Sequence, residues 1–164
     1  MWRILSLLSG FVMGQVGQKV AEKLTFSDEE GRQYSFSQLR GKWVVLFFYP
    51  HDDTPGCTQE AKEFTRLLPA YEEIGARVFG VSTQDAKSHK AFKQKHCLKV
   101  PLIVDKEGQI AEYFQVKRFF GLCSRDIVVI DPEGRIAHVA RQVSPSEGPK
   151  ATLEWLRQTQ RAQN

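Results

Sequence analysis

The chain has 164 residues, of which 41% are hydrophobic and 26% are charged, and these proportions favour one globular domain over a disordered or fibrous protein. Its 23 lysines and arginines and 19 aspartates and glutamates give a net charge of +4, too small to indicate a nucleic-acid partner. The 3 cysteines are widely spaced and form no Cys-x-x-Cys motif. This argues against a disulfide framework, a zinc ribbon or a thioredoxin-type dithiol, and favours a reducing, cytoplasmic compartment.

Residues 1–15 are interpreted as an apolar N-terminal extension that precedes one domain over residues 16–164. One positive charge, Arg3, comes before an apolar run that resembles the h-region of a signal peptide. The run is short for a transmembrane helix, and no clear small-x-small cleavage site follows it. Three interpretations stay open: an export or membrane-anchoring segment, an apolar extension, or an upstream false start with the protein beginning at Met13.

The first half of the domain alternates strands and helices. Turn residues between two apolar stretches predict a hairpin over residues 24–38, and an unbroken apolar run predicts a buried strand over residues 43–48. After a loop, a helix is expected to follow this strand and to reach about Tyr71, with Pro69 interrupting it. A strand over residues 77–82 and a helix over residues 84–96, capped by Ser82 or Thr83, follow.

In the second half, apolar runs and turn residues predict a short strand over residues 101–105, a helical turn over residues 110–114 and a hairpin of strands 127–131 and 136–140. Pro149 is suited to the first position of a last helix. Together the elements predict an α/β protein with a mixed central β-sheet flanked by helices.

Cys57 lies where the loop after the buried strand becomes a helix. Phe64, Leu67, Leu68 and Tyr71 have the i, i+3, i+4, i+7 spacing of that helix. The N-terminus of a helix has unpaired backbone N–H groups and the positive end of the helix dipole. Both favour a thiolate, which is the nucleophilic form of cysteine.

Residues 50–60 read Pro-His-Asp-Asp-Thr-Pro-Gly-Cys-Thr-Gln-Glu and resemble the peroxiredoxin active-site motif Pro-x-x-x-Thr-x-x-Cys. The sequence of this segment is similar to that of the bacterioferritin-comigratory, or peroxiredoxin Q, branch of the AhpC/TSA superfamily. The resemblance implies a thioredoxin-like fold over roughly residues 16–160. It also implies a thiol-dependent peroxidase that reduces hydrogen peroxide and organic hydroperoxides without a metal, haem or flavin cofactor.

The resemblance assigns roles within the motif. Cys57 is the expected peroxidatic cysteine, which attacks the O–O bond and is left as sulfenic acid. The hydroxyl of Thr54, one helical turn earlier, is expected to reach the sulfur and a peroxide oxygen. Pro50 is expected to shield the site from water, and backbone N–H groups near Gly56 are expected donors.

A cation is expected from a second family pattern, Gly-Ile-x-Arg-x-Thr-Phe-x-Ile-Asp. Counted back from Asp131, Arg125 falls on the arginine position, although Asp126, Ile127 and one extra residue after Gly121 depart from the pattern. Glu60 matches a family carboxylate that would orient Arg125.

The residue that recycles Cys57 is left open. Many members of this branch have a second, resolving cysteine five residues after the first, where this chain has Lys62, and others have one near Lys93. Cys97 lies one helical turn beyond Lys93, and Cys123 would share one strand face with the arginine two residues later. Either could resolve the sulfenic acid in an atypical two-Cys enzyme, or an outside thiol could reduce it in a one-Cys enzyme.

The expected partners follow from this chemistry. They are a peroxide substrate and, as reductant, a small thiol or a thioredoxin- or glutaredoxin-like protein, and the chain itself is expected to be a monomer or weak dimer. A non-enzymatic redox sensor or relay would use the same Cys57, and turnover with an added thiol separates the two functions. For a holdase-type chaperone the sequence has no specific feature.

Overall fold

A computed structural model describes residues 14–163 and has a five-stranded mixed sheet at its centre. The strands are β1 Thr25–Ser27, β2 Gln33–Ser35, β3 Trp43–Phe48, β4 Ala76–Ser82, β5 Leu102–Val104, β6 Arg118–Phe119, β7 Leu122–Cys123, β8 Ile127–Ile130 and β9 Ile136–Ala140. The helices are α1 Pro55–Glu73, α2 Ala86–His96, α3 Gln109–Tyr113 and α4 Glu147–Gln163. Across the sheet the order is β9-β8-β3-β4-β5. Strands β3, β4 and β5 run parallel, and β8 and β9 run antiparallel to their neighbours.

Strand β3 is the central strand, and every one of its residues is buried. Successive side chains of a strand point to opposite faces, so an unbroken apolar run needs cover on both sides. Val44 and Leu46 belong to one core cluster, and Val45 and Phe47 belong to the other. The predicted buried strand is therefore confirmed.

Helices cover the two faces unequally. Apolar side chains of α1, α2 and α4 pack on the face that contains Phe47, while α3 and the β1–β2 hairpin pack on the opposite face. The predicted hairpins at residues 24–38 and 127–140 are present, and the predicted α/β architecture of a mixed sheet flanked by helices is confirmed.

Several helix ends differ from the prediction. Helix α2 begins at Ala86, and Asp85 is its cap because the carboxylate accepts from the backbone N–H of Ser88 at 2.9 Å. Helix α4 begins two residues before Pro149, which is tolerated because N–H groups of the first turn have no partner within the helix. Helix α1 continues through Pro69 to Glu73, so this proline removes one hydrogen bond without ending the helix.

The predicted apolar N-terminal segment lies largely outside the described residues. Where the description begins, the chain runs beside the β8–β9 turn: the N–H of Gly17 donates to Ile136 at 2.7 Å and that of Val20 donates to Gly134 at 2.8 Å. Over residues 14–163, no helix has both the length and the apolar character needed to cross a bilayer.

Candidate active site

Cys57 is the third residue of α1 and lies just beyond the end of β3. Thr54 is the N-cap in extended conformation, and Pro55 occupies the first turn, where its missing N–H costs no helical bond. The thiol is only 1% exposed and packs in the core cluster under α1. The sulfur is therefore held close to the unpaired N–H groups of the helix start while remaining out of bulk water.

Arg125 brings a cation to this sulfur from 68 residues away in the sequence. Its Nη1 lies 3.5 Å from Cys57 Sγ and 3.0 Å from Glu60 Oε1. Gly56 makes the approach possible, because a Cβ at that position would lie 3.0 Å from Nη2 of the arginine. The predicted Cys57, Glu60 and Arg125 thus come together in one site.

The backbone of Arg125 is fixed by its surroundings and not by a strand. Its carbonyl accepts from the N–H of Val143 at 2.8 Å. The next residue, Asp126, is buried and accepts from Arg141 Nη1 at 2.9 Å and from the N–H of Gln142 at 3.0 Å. Strand β7 ends at Cys123, so strand alternation does not extend to the arginine.

Glu60 is fully buried, and its Oε2 has no hydrogen-bond partner within residues 14–163. Burial raises the pKa of Glu60 to about 8, against the opposing effect of the Arg125 guanidinium. An ionised carboxylate with one unpartnered oxygen is costly in such a site. The carboxyl group is therefore mainly protonated at neutral pH, which leaves the charge of Arg125 available to the sulfur.

Thr54 and Pro50 lie in the loop that leads to Cys57. The Thr54 hydroxyl donates to the His51 carbonyl at 2.9 Å, and in the described part of the chain no hydrogen bond joins it to the sulfur. Its oxygen lone pairs remain able to accept from a ligand. The Pro50 carbonyl accepts from Gln84 Nε2 at 3.1 Å, which ties the loop to the segment after β4.

The other two cysteines lie in different environments. Cys97 is exposed and ends α2 with a left-handed φ of 53°. Cys123 is buried in the core cluster on the face of the sheet opposite to Cys57, and burial raises the pKa of its thiol to about 12. The expectation that Cys123 shares one strand face with Arg125 is therefore wrong, because the strand ends before Arg125.

Lysines occupy the two positions at which related proteins have a resolving cysteine. One of them, Lys62, faces solvent on α1, and the other, Lys93, has a side-chain partner. Lys93 donates to Glu29 Oε2 at 3.0 Å on the outer side of α2.

Sequence reasoning missed two residues near the site. Gln84 accepts from the N–H of Asp52 at 3.0 Å as well as donating to Pro50, and only its position after a buried strand hinted at a role. Pro145 has its Cγ 3.5 Å from where a Cβ of Gly56 would lie, and nothing in the sequence pattern pointed to it.

Comparison with known proteins agrees with this geometry. The model of the AhpC/TSA family matches residues 16–139. Peroxiredoxin Bcp of Bacillus subtilis is 36% identical over 151 residues, covering 87% of this chain and 95% of that protein.

Two solved structures are similar over almost their whole length. Xylella fastidiosa PrxQ has a TM-score of 0.83 at 30% identity and covers 88% of this chain and 96% of its own. The bacterioferritin comigratory protein of Xanthomonas campestris, whose structure was described for its alkyl peroxide reduction activity, has a TM-score of 0.81 at 30% identity. The match covers 88% of this chain and 99% of that protein. The chain therefore belongs to the AhpC/TSA family, as a thioredoxin-fold peroxiredoxin of the Q and Bcp type and a thiol-dependent peroxidase.

Proposed function

We propose that Cys57 is the peroxidatic cysteine and that Arg125 holds it in the reactive form. The observation that carries this proposal is the 3.5 Å contact between Arg125 Nη1 and Cys57 Sγ at the start of α1. A buried sulfur next to a guanidinium and a helix N-terminus is stabilised as the thiolate. A thiolate is the species that attacks a peroxide.

The reaction then proceeds in one displacement. The Cys57 thiolate attacks the nearer peroxide oxygen, the S–O bond forms and the O–O bond breaks. The departing oxygen takes a proton and leaves as water or an alcohol, while the sulfur remains as sulfenic acid. Arg125 and the N–H groups of the first turn of α1 are placed to stabilise charge on the reacting oxygens.

Thr54 and Pro50 serve this step as binding and shielding groups. The Thr54 hydroxyl donates to His51, so its oxygen is oriented to accept a hydrogen bond from the peroxide O–H. Pro50 has no N–H and fixes its own φ, which keeps the loop rigid next to the thiol.

Glu60 orients Arg125 without cancelling its charge. Its Oε1 accepts from Nη1 at 3.0 Å, and the same nitrogen faces the sulfur. A neutral carboxyl group still accepts this hydrogen bond through its carbonyl oxygen, so Glu60 can orient the guanidinium in either protonation state.

The sulfenic acid is reduced by an external thiol in this proposal. Cys123 is separated from Cys57 by the sheet, and Cys97 is exposed at the C-terminal end of α2. A small thiol or a thioredoxin- or glutaredoxin-like protein would supply the electrons. Organic hydroperoxides as well as hydrogen peroxide are the proposed substrates, since the similar Xanthomonas protein is described by its alkyl peroxide reduction activity.

We place the protein in the cytoplasm as a monomer or weak dimer. Three unpaired cysteines, one of them exposed, are compatible with a reducing compartment. Among residues 14–163 the large exposed apolar side chains are Val16, Phe119, Phe120 and Leu122. Four exposed apolar side chains are few for a standard interface, which buries roughly 800 Å² per partner.

The assignment is tested by single cysteine substitutions. Cys57→Ser should abolish peroxide consumption with added thiol, because no other thiol lies beside Arg125. Cys97→Ser and Cys123→Ser are the matched controls and should keep the first oxidation step. Substantial peroxidase activity in purified Cys57→Ser would refute the role of this cysteine.

A further inference from the structure

Two buried ionisable residues near the site have no part in the chemistry described above. Asp52 and His89 form a pair with Oδ2 and Nδ1 2.7 Å apart, and their side chains are 3% and 0% exposed. Asp52 belongs to the loop that precedes Cys57, whereas His89 belongs to α2. The pair therefore joins the reactive loop to a helix that supplies no proposed catalytic residue.

The pair is completed by neutral hydrogen bonds. Asp52 Oδ1 accepts from the Tyr49 hydroxyl at 2.7 Å, and Oδ2 also accepts from the Ser88 hydroxyl at 2.7 Å. His89 Nε2 lies 2.9 Å from the Ile103 carbonyl at the edge of the sheet. We call Tyr49, Asp52, Ser88 and His89 the Asp52 cluster.

Hydrogen bonding defines the protonation of this cluster. A carbonyl oxygen can only accept, so Nε2 of His89 must donate to Ile103. Burial works to raise the pKa of Asp52, but the hydrogen bond and charge of His89, with Tyr49 and Ser88, lower it overall. The Asp52 carboxyl group thus has Tyr49, Ser88 and Nδ1 of His89 as hydrogen-bonding partners inside the protein.

The neighbouring residues extend the attachment of the loop. The N–H of Asp52 donates to Gln84 Oε1 at 3.0 Å. Asp53 has a left-handed φ of 62°, which is uncommon for a residue other than glycine, and its carboxylate accepts from Lys95 and His96 at 2.8 Å each. Thr54 and the first turn of α1 follow directly, so this backbone sets where the Cys57 sulfur lies.

We propose that Asp52 is a positioning residue of the peroxidase, which with His89 and Ser88 fixes the loop that places Thr54 and Cys57 opposite Arg125. The inference rests on Cys57 being the peroxidatic residue. Within residues 14–163 no hydrogen bond joins the Asp52 cluster to the Cys57 sulfur, and the cluster acts by holding the left-handed backbone at Asp53 in one conformation. Reaction rates depend steeply on such placement, since shifts of about 1 Å can cost about 100-fold.

The test compares Asp52→Asn with Asp105→Asn. Asp105 is a buried aspartate near the opposite core cluster, where it accepts from the N–H groups of Ile110 and Ala111 at 3.0 Å. Each variant is measured for melting temperature, for the second-order rate of oxidation by hydrogen peroxide and for thiolate absorbance at neutral pH. Amide hydrogen exchange is followed over residues 50–54.

Asp52→Asn should slow the oxidation by about tenfold or more, lower the thiolate signal and speed exchange over residues 50–54. Asp105→Asn should lose thermal stability but keep all three of these properties. The oxidation rates are compared at a temperature below the melting temperature of each variant. If Asp52→Asn is oxidised at a rate within about twofold of the wild type, the proposal is overturned.

A milder variant covers the case in which Asp52→Asn does not fold. Ser88→Ala removes one donor to Asp52 Oδ2 and leaves the Asp52–His89 contact, so a two- to threefold slower oxidation is expected, on the order of one lost hydrogen bond. An unchanged rate and unchanged exchange in Ser88→Ala would contradict the proposal. Cys57→Ser is run beside these variants: if it reacts like the wild type, the assignment of Cys57 is wrong, whereas a fast Asp52→Asn overturns only the positioning role.

Discussion

At the scale of single residues, the reactivity of this site depends on where two side chains put their charges. Arg125 is partly buried, and burial works to lower its pKa, yet Glu60 and Cys57 raise it overall. The guanidinium is therefore charged in every relevant state. Its effect on the sulfur depends on whether Glu60 is neutral.

Arg125→Ala should slow the reaction of Cys57 with peroxide by about 100-fold, on the scale of losing one preorganised donor. The thiolate fraction at neutral pH should fall because the nearest positive charge is removed. Rapid-mixing oxidation kinetics measure the first effect, and ultraviolet thiolate absorbance measures the second.

The matched control is Arg66→Ala, which removes an exposed arginine of α1 that pairs with Glu63. It should leave both quantities unchanged. If Arg125→Ala reacts as fast as this control, Arg125 has no part in activating the sulfur.

Glu60 should make the folded protein less stable as the pH rises. Its pKa is raised from 4.5 to about 8 in the folded state, so the folded state binds more protons than the unfolded state between these values. Between about pH 5 and about pH 8 the wild type should lose on the order of 2 kcal/mol more free energy of unfolding than Glu60→Gln. Urea unfolding at several pH values measures this difference.

Glu63→Gln is the control on the same helix. The pKa of Glu63 is lowered, chiefly by its hydrogen bond to Arg66. Glu63→Gln should therefore lose at least as much stability as the wild type when the pH is raised. Equal pH dependence in the wild type and Glu60→Gln would mean that Glu60 is already ionised at low pH.

At the scale of elements, the β6–β7 hairpin has an unfavourable residue at its turn. Phe120 and Gly121 connect the paired Phe119 and Leu122, with φ of 50° and 77°. Two positive φ values are typical of a type I′ turn, which favours Asn-Gly. A bulky residue is strained there, and the Phe120 side chain is exposed, so packing does not compensate.

Phe120→Asn should therefore stabilise the protein by about 0.5–1 kcal/mol, measured by thermal or urea unfolding. Phe119→Asn is the control, because Phe119 is also exposed but lies in the strand next to the turn. It should give no gain. Equal stability changes for both variants would show that apolar exposure, and not the left-handed backbone, controls this hairpin.

At the scale of the whole molecule, the sheet separates Cys57 from Cys123. The two residues lie in core clusters on opposite faces, whereas Cys97 ends α2 on the same face as Cys57. A disulfide needs Cα atoms within about 7 Å. A Cys57–Cys123 disulfide would therefore require large local unfolding, and a Cys57–Cys97 disulfide would require the start of α1 and the end of α2 to rearrange.

Peroxide-treated protein should hold sulfenic acid at Cys57 long enough for dimedone to trap it. Peptide mapping under non-reducing conditions, after one equivalent of peroxide, is the measurement, and Cys97→Ser should show the same adduct yield as the wild type. A Cys57–Cys97 or Cys57–Cys123 peptide in high yield, with no dimedone adduct, would establish an atypical two-Cys enzyme instead.

Much of the fold follows from local patterns in the sequence. The six buried residues of β3 and the β1–β2 and β8–β9 hairpins were predicted within about three residues, because apolar runs and turn residues act over short distances, whereas the β6–β7 hairpin was not predicted. Helix ends were predicted less well, because caps such as Asp85 depend on which side chain reaches a backbone N–H.

By itself, then, the sequence determined the fold class, the family and which cysteine is proposed to react with peroxide, since each depends on residue types that are close together in the chain. Only the tertiary structure decided that Arg125 meets a sulfur 68 residues away, that Cys123 lies behind the sheet and that Asp52 is paired with His89. These contacts depend on strand order and burial, and the energy of a charge depends on what surrounds it in space. A glutamate on an exposed helix is an ordinary acid, whereas burial raises the pKa of Glu60 to about 8 although Arg125 beside it acts to lower that pKa.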